Sequence, residues 1–239
     1  MIENHLFHVH TYRCGHASNE SEEEYIKKAI NYGVKKITFT DHAPFPGDPF
    51  NMRMRFSELP EYISSLKELK NSYRGSIEVV IGLEIEYLPS YKEYYKELKT
   101  NSDIEILMLG QHHFELCDGS WSFEHDVSDC GIEFLESQIA AIKTDLFDVI
   151  AHPDRCIKYS KDGWTEDIKI FSEKLIKECN NHQVSLEKNL SSMRGDKLYW
   201  PEFWSLVPEH SEIIIGCDAH STGELIVSNK IIKNRSKRI

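Results

Sequence analysis

Eight of the twelve histidines stand in clusters, most with Asp or Glu, at the ends of short apolar runs rich in β-branched residues. The clusters are His8-Val9-His10, Asp41-His42, Glu84-Ile85-Glu86, His112-His113, His152 and Asp218-Ala219-His220, with His16 shortly after the first. Scattered histidines would not return ligand chemistry to the same end of each run. A parallel β/α barrel does, because all its strand C-termini open on one face, where active sites lie. The placement points to an α/β barrel with a multinuclear metal site at the C-terminal ends of its strands, in a metal-dependent hydrolase.

The remaining pattern agrees with a barrel. Strands are expected over 6–11, 35–40, 77–87, 104–109, 147–151, 184–190 and 213–217. Helices are expected from about 22 to 32, over 57–73, 90–100, 132–144 and 166–182, and at the end over 224–232. Ser21-Glu22-Glu23-Glu24 has the form of a capping box, and Gly33 a helix stop. Strands interleaved with helices imply a parallel sheet, and no composition shift divides 1–239 into more than one domain. Residues 43–56 and 117–130 read as long loops, the second lying over the site.

A formal net charge of -11 argues against a nucleic-acid surface, though it permits a small anionic substrate, because a bound metal dominates the local field. No signal peptide or membrane-length apolar run is evident, so a cytoplasmic protein without a membrane partner is expected. The six cysteines include no Cys-x-x-Cys pair and read as reduced thiols, with Cys14 and Cys217 as packing residues. Oligomeric state is left open.

His-x-His on a strand points both imidazoles to one side. Imidazole combined with carboxylate suits Zn, Mn or Fe, and a carboxylate such as Glu84 can bridge two ions, giving a cluster of two or three. Glu86 shares the side of Glu84 and is either a ligand or a hydrogen-bond partner of one. Asp41 is either such a partner or an acid–base group. His5, His125, His182 and His210 lack this context and read as non-ligands.

His-Val-His-Thr, Thr-Asp-His, Gly-Leu-Glu, Ala-His-Pro-Asp and Cys-Asp-Ala-His, in this order over residues 5 to 222, resemble the polymerase-and-histidinol-phosphatase (PHP) superfamily. Cys-Gly-His-Ala and Asp-His-Ala-Pro-Phe-Pro resemble its histidinol-phosphate phosphatase branch. The resemblance implies a distorted (β/α)7 TIM-like barrel with up to three metals. It allots His8, His10, Glu84 and Asp218 to one ion. Glu84, His113 and His152 would hold a second, and His16, His42 and His220 a third. Gly110-Gln111-His112-His113-Phe114 resembles a Gly-x-x-His-aromatic motif, which selects His113; a shift of one residue selects His112. Arg194 resembles the family's phosphate-binding arginine. Lys158 and Arg155 are second candidates, the family pattern favouring Lys158. Lys188, between Glu187 and Asn189, departs from the apolar centre of a family-like Glu-x-Asn.

The implied reaction is hydrolysis of L-histidinol phosphate in histidine biosynthesis, with Asp41, His42, Glu84, Asp218 and His220 at the reacting centre. No Ser or Cys nucleophile with a dedicated base stands out, so attack by a metal-bridging hydroxide without a phosphoenzyme is expected. The substrate's ammonium and imidazole would favour acidic walls, for which Glu115, Asp118 and Asp154 are available. Arg53 and Arg55 are placed at the surface of the 43–56 loop, near the mouth. Two alternatives stand beside this reading. One is a broader phosphoesterase acting on nucleotides or other small phosphates. The other is a non-catalytic interaction module, which would leave the full ligand set without a role.

Overall fold

The expected alternation is realised in the computed structural model, which describes residues 4–195 and 197–225. Seven strands form, β1 (His5–Val9), β2 (Lys36–His42), β3 (Glu78–Ile85), β4 (Ile106–Leu109), β5 (Val149–Ile150), β6 (Ser185–Asn189) and β7 (Ile213–Ala219). They follow one another in the sheet in chain order, and the sheet closes into a barrel. The pairings of β1 with β2 and β7, of β2 with β3, and of β5 with β4 and β6 are parallel. Six α-helices lie wholly within the described residues, α1 (Glu22–Asn31), α2 (Leu59–Ser72), α3 (Lys92–Thr100), α4 (Gly131–Ile142), α5 (Glu166–Asn181) and α6 (Pro201–Ser205). The chain divides into two compact units. The first comprises Met1–Glu84, Ser102–Ile106 and Gly216–Ile239, the second Ile85–Asn101 and Leu107–Ile215.

In the first unit, β2 and β3 are buried along nearly their whole length, as parallel strands covered on both faces must be. Their register sets His42 opposite Glu84. Gly82 of β3 lies so close to its neighbours that an added Cβ would stand 3.0 Å from the Ile106 carbonyl oxygen and 3.1 Å from that of Phe39. The Tyr62 hydroxyl of α2 donates to the Gly82 carbonyl at 2.8 Å. The capping box opens α1, the Ser21 amide donating to Glu24 at 2.7 Å, and Gly33 ends that region in the left-handed conformation. The buried residues Tyr25, Ile26 and Ala29 give α1 its apolar stripe.

In the second unit, α4 packs on α5, and the Phe134 ring of α4 stacks on Tyr159 and meets Phe114 edge-on. Tyr95 of α3 fixes the segment after β3, its hydroxyl accepting from the Leu88 amide and donating to the Glu86 carbonyl.

Five strands are shorter than expected, β3 and β6 losing one to two residues at each end, and at β1 and β5 the backbone conformation supplies the reason. β1 stops at Val9 and shifts register on both sides, because His8 has a φ of 68°. β5 is reduced to two residues, with His152 beyond it at φ 31°. β4 begins at Ile106. β7 runs two residues further than expected, to Ala219. The short helix α6, begun by Pro201, was not anticipated. The expected terminal helix, 224–232, starts two residues earlier than anticipated, with 222–225 helical, and 226–232 lie outside the described residues. Among the described residues no helix is long and apolar enough to cross a membrane.

Candidate metal centre

The first unit gathers eight of the proposed site residues, Asp41 among them. His8 and His10 project from the end of β1 to the same carboxylate, their Nε2 atoms 3.2 and 3.3 Å from Glu84 Oε2. Nδ1 of His42 lies 3.4 Å from that same oxygen. Asp218, at the end of β7, brings Oδ1 to 3.7 Å from His8, 3.6 Å from His10 and 3.6 Å from His220. Two sets of possible ligand atoms converge here: His8, His10 and Glu84 in one, His16, His42 and His220 in the other. The His10 ring stacks on His220 at a centroid distance of 4.3 Å, and Nε2 of His16 lies 2.9 Å from Nε2 of His220.

The residues fit a divalent cation on chemical grounds. His10 is fully buried, and although Nε2 lies 3.3 Å from Glu84, neither ring nitrogen is oriented to make a hydrogen bond. A buried ring with two unsatisfied nitrogens carries a desolvation cost that a coordinated ion removes. Burial, reinforced by neighbouring His10, pulls the His220 pKa down to about 3, so this imidazole is neutral and has a lone pair to give. Asp218 supplies negative charge beside it, and Glu84 does so beside His8, His10 and His42. Imidazole and carboxylate with no thiolate matches Zn, Mn or Fe.

The backbone here is strained where ligands sit. His8 and Asp218 have φ of 68° and 49°, a left-handed conformation uncommon for residues other than glycine. Hydrogen bonds from the His10 amide to the Ala219 carbonyl and from the Ser18 amide to the His220 carbonyl hold these turns. The Cys217 thiol donates to the carbonyls of Phe7 and His8, a packing and pinning role. Asp41 is fully buried and accepts from the Thr11 amide at 2.8 Å and from the Thr11 hydroxyl. Burial raises its carboxyl pKa to about 6. It thus clasps the turn that leads to His16.

The second unit holds a smaller polar cluster. Glu86 is buried, with Oε1 3.0 Å from His112 Nδ1 and 3.6 Å from His113 Nδ1. The His112 ring lies 5.2 Å from that of His152, while His113 packs edge-on against Phe123. Gln111 ties this segment down, exchanging hydrogen bonds with both backbone groups of Tyr87 and donating to the His113 carbonyl.

The cationic candidates differ in their surroundings. Arg155 turns its guanidinium to Ser192 and Asn189. Arg194 is exposed, and Lys158 is exposed over the Tyr159 ring. Arg53 donates to the Ala43 carbonyl and lies over Phe45 and Phe50, whereas Arg55 is exposed. Of the acidic candidates, Asp154 accepts from the Trp200 amide and the Trp204 indole, and burial raises its pKa to about 6. Glu115 accepts from the Ser90 amide, and Asp118 from Ser120. Among the other histidines, His5 meets Thr38, His125 meets Ser120 and His182 meets Asp145.

One contributor, Glu187, was missed from sequence, while Cys14 is buried as expected of a packing residue. Cys14 lies within ligand reach of His10 and His220, but burial pushes its thiol up to about 11, which keeps it protonated. Glu187, fully buried on β6, accepts from the His152 amide. The signal for Glu187 was its place with Asn189 in the family-like Glu187-Lys188-Asn189 run of β6.

The chain belongs to the PHP domain family, whose profile matches residues 6–191. The histidinol-phosphatase of Bacillus subtilis (strain 168) is 27% identical over 253 residues, an alignment covering 91% of this chain and 94% of the relative. A crystal structure from Listeria monocytogenes, of a protein provisionally named a histidinol phosphatase, superposes with a TM-score of 0.80 at 18% identity, over 92% of this chain and 97% of that one. The histidinol phosphate phosphatase of Lactococcus lactis subsp. lactis Il1403, solved with zinc, L-histidinol and phosphate, superposes with a TM-score of 0.71 at 17% identity, over 95% and 93%. These structures share the barrel.

Proposed function

We propose that the chain is one PHP-type phosphoesterase domain, a histidinol-phosphatase that hydrolyses L-histidinol phosphate to L-histidinol and phosphate in the cytoplasm. The observation that carries this reading is the concentration of five imidazoles and two carboxylates at strand ends of the first unit. It occurs in a chain aligned over 91% of its length with a histidinol-phosphatase. The zinc, L-histidinol and phosphate bound by the Lactococcus lactis protein name the chemistry such a barrel handles.

His8, His10, Glu84 and Asp218 would hold one divalent ion, and His16, His42 and His220 another. His113 and His152 are proposed as ligands from the second unit; the contacts of His112 with Glu86 and the His152 ring favour His112 as the alternative. When bound, such ions neutralise phosphoryl oxygens, lower the pKa of water and stabilise a leaving oxygen. The protein's own part is to keep its imidazoles neutral, as burial does for His220, and to aim them by fixing strained turns. Asp41 holds the Thr11 turn that aims His16. Arg194 and Lys158 are the proposed phosphate-facing cations, a guanidinium fork matching phosphate bidentately.

The test is phosphate release from histidinol phosphate, an aryl phosphate and nucleotides, with and without chelator. A preference for histidinol phosphate by orders of magnitude, lost on chelation, is expected. Equal rates on all substrates would replace this reading with the generalist phosphoesterase, and no metal-dependent turnover on any would leave an interaction module. Inversion at phosphorus in an oxygen-labelled product is expected for single displacement.

A further inference from the structure

We propose that Glu187 is a positioning residue for His152, and that a polar chain through Asn189, Arg155 and Ser192 couples this histidine to the loop carrying Arg194. The proposal rests on the reading of His152 as a metal ligand.

His152 sits at φ 31°, a conformation that persists only where surrounding contacts impose it. Both of its peptide groups are held. Its amide donates to Glu187 Oε2 at 2.9 Å, and its carbonyl accepts from the Arg155 amide at 2.9 Å. The same Glu187 oxygen accepts from Asn189 Nδ2 at 3.0 Å. Asn189 Oδ1 in turn accepts from the Ser192 amide at 2.8 Å and from Arg155 Nη2 at 3.2 Å. The Ser192 hydroxyl accepts from Arg155 Nη2 at 2.8 Å and Nε at 3.0 Å. Ser192 opens the single turn Ser192–Arg194, so the network ends two residues from the proposed phosphate-facing arginine.

Glu187, Asn189, Ser192 and His152 are all buried. A carboxylate is retained in such a place only if its oxygens and charge are answered. Two N–H donors answer the oxygen directly, and the Arg155 guanidinium, one residue further along the chain of bonds, supplies the opposite charge. Arg155 is thereby assigned to alignment and not to substrate. A change at Ser192 should reach the His152 ligand, and metal bound at His152 should strengthen anion binding at the Arg194 loop, since coupling between sites is reciprocal.

The experiment uses the full chain and the variants His152→Ala, Glu187→Ala, Glu187→Gln and Ser192→Ala. Each is stripped of metal, checked by circular dichroism and titrated with Co(II), read by visible absorption and competition with a chromogenic chelator. Inorganic phosphate affinity of the Co(II)-loaded proteins is measured by calorimetry. His152→Ala should remove one class of Co(II) sites. Glu187→Ala should weaken that class about 10- to 100-fold, the usual consequence of losing a ligand's hydrogen-bonded support. Glu187→Gln, whose amide oxygen still accepts from the His152 amide, should restore most of the affinity and the absorption band. Ser192→Ala should weaken the same class severalfold and weaken phosphate binding with it. Unchanged Co(II) affinity in Glu187→Ala, with the class absent in His152→Ala, overturns the proposal and leaves the ligand reading standing. Retention of all sites in His152→Ala overturns the ligand reading itself. If Glu187→Ala does not fold, the Glu187→Gln and Ser192→Ala titrations decide, and wild-type affinity for Co(II) and phosphate in Ser192→Ala rejects the coupling.

Discussion

The two compact units use histidine and carboxylate differently. In the first, ring nitrogens and carboxylate oxygens face one another directly: three imidazoles lie 3.2 to 3.4 Å from a single Glu84 oxygen. In the second, the nearest carboxylates are engaged in support, Glu86 beside His112 and Glu187 on the backbone of His152. One unit concentrates donors; the other spends its buried charge on holding them still. A crowded cluster tolerates the loss of a supporting bond better than the loss of a shared oxygen, whereas a sparse one depends on its supports.

That contrast can be broken most forcefully at Glu84. Glu84→Ala is expected to lower phosphate release at least about a thousandfold and to cost bound metal, assayed by turnover and elemental analysis. Near-normal turnover would reject the first unit as the centre of the chemistry. The second unit is sharpened by comparing His113→Ala with His112→Ala. The true ligand should lose metal and activity about 100-fold or more, and its neighbour should stay within about tenfold. Removal of metal from the wild-type protein should lower thermal stability by about 3 kcal/mol relative to protein in metal at about a hundred times its dissociation constant, and readdition should restore it. A melting curve indifferent to metal would argue that the clusters are satisfied without it.

Two smaller effects separate support from chemistry. His5 lies at the start of β1, away from the ligands, and burial together with Lys36 lowers its pKa to about 4. The unfolded chain then binds more protons than the folded one between pH 6.5 and 4. Stability from this group is complete above pH 6.5 and is lost as pH falls toward 4, by on the order of 2 kcal/mol after allowing for partial exposure. His5→Gln should flatten that part of the stability profile in denaturant titrations without changing metal content. Thr11→Val removes the hydroxyl that donates to Asp41 and should cost about 1 kcal/mol, read from the urea midpoint, with turnover reduced only severalfold.

Much of this arrangement is visible in residue order alone. The His-x-His spacing of His8 and His10 correctly marks two rings that reach one carboxylate, and the Ser21 and Glu24 pair marks the start of α1 to the residue. These signals are local, so a single sequence carries them. What escaped notice depends on distant partners. The ends of β1 and β5 are curtailed by positive φ at His8 and His152, which no propensity encodes. Glu187 acts on a peptide amide thirty-five positions away, and a backbone group leaves no trace in residue type. The helix α6 is five residues long, too brief for a periodic stripe. Cys14 reads as a packing residue from its type, and only its neighbours reveal where it packs.

Gly82 has no functional group, yet it governs one. Its missing methyl lets β3 lie against the carbonyls of Ile106 and Phe39, two residues before Glu84. An alanine there would have to displace backbone by a few tenths of an ångström, and the strand would carry that shift to an oxygen shared by three rings. The tolerance of the whole ligand assembly is therefore written at a position that any inventory of reactive side chains passes over. Engineering of this barrel for new substrates should treat residue 82 as fixed before any loop is varied.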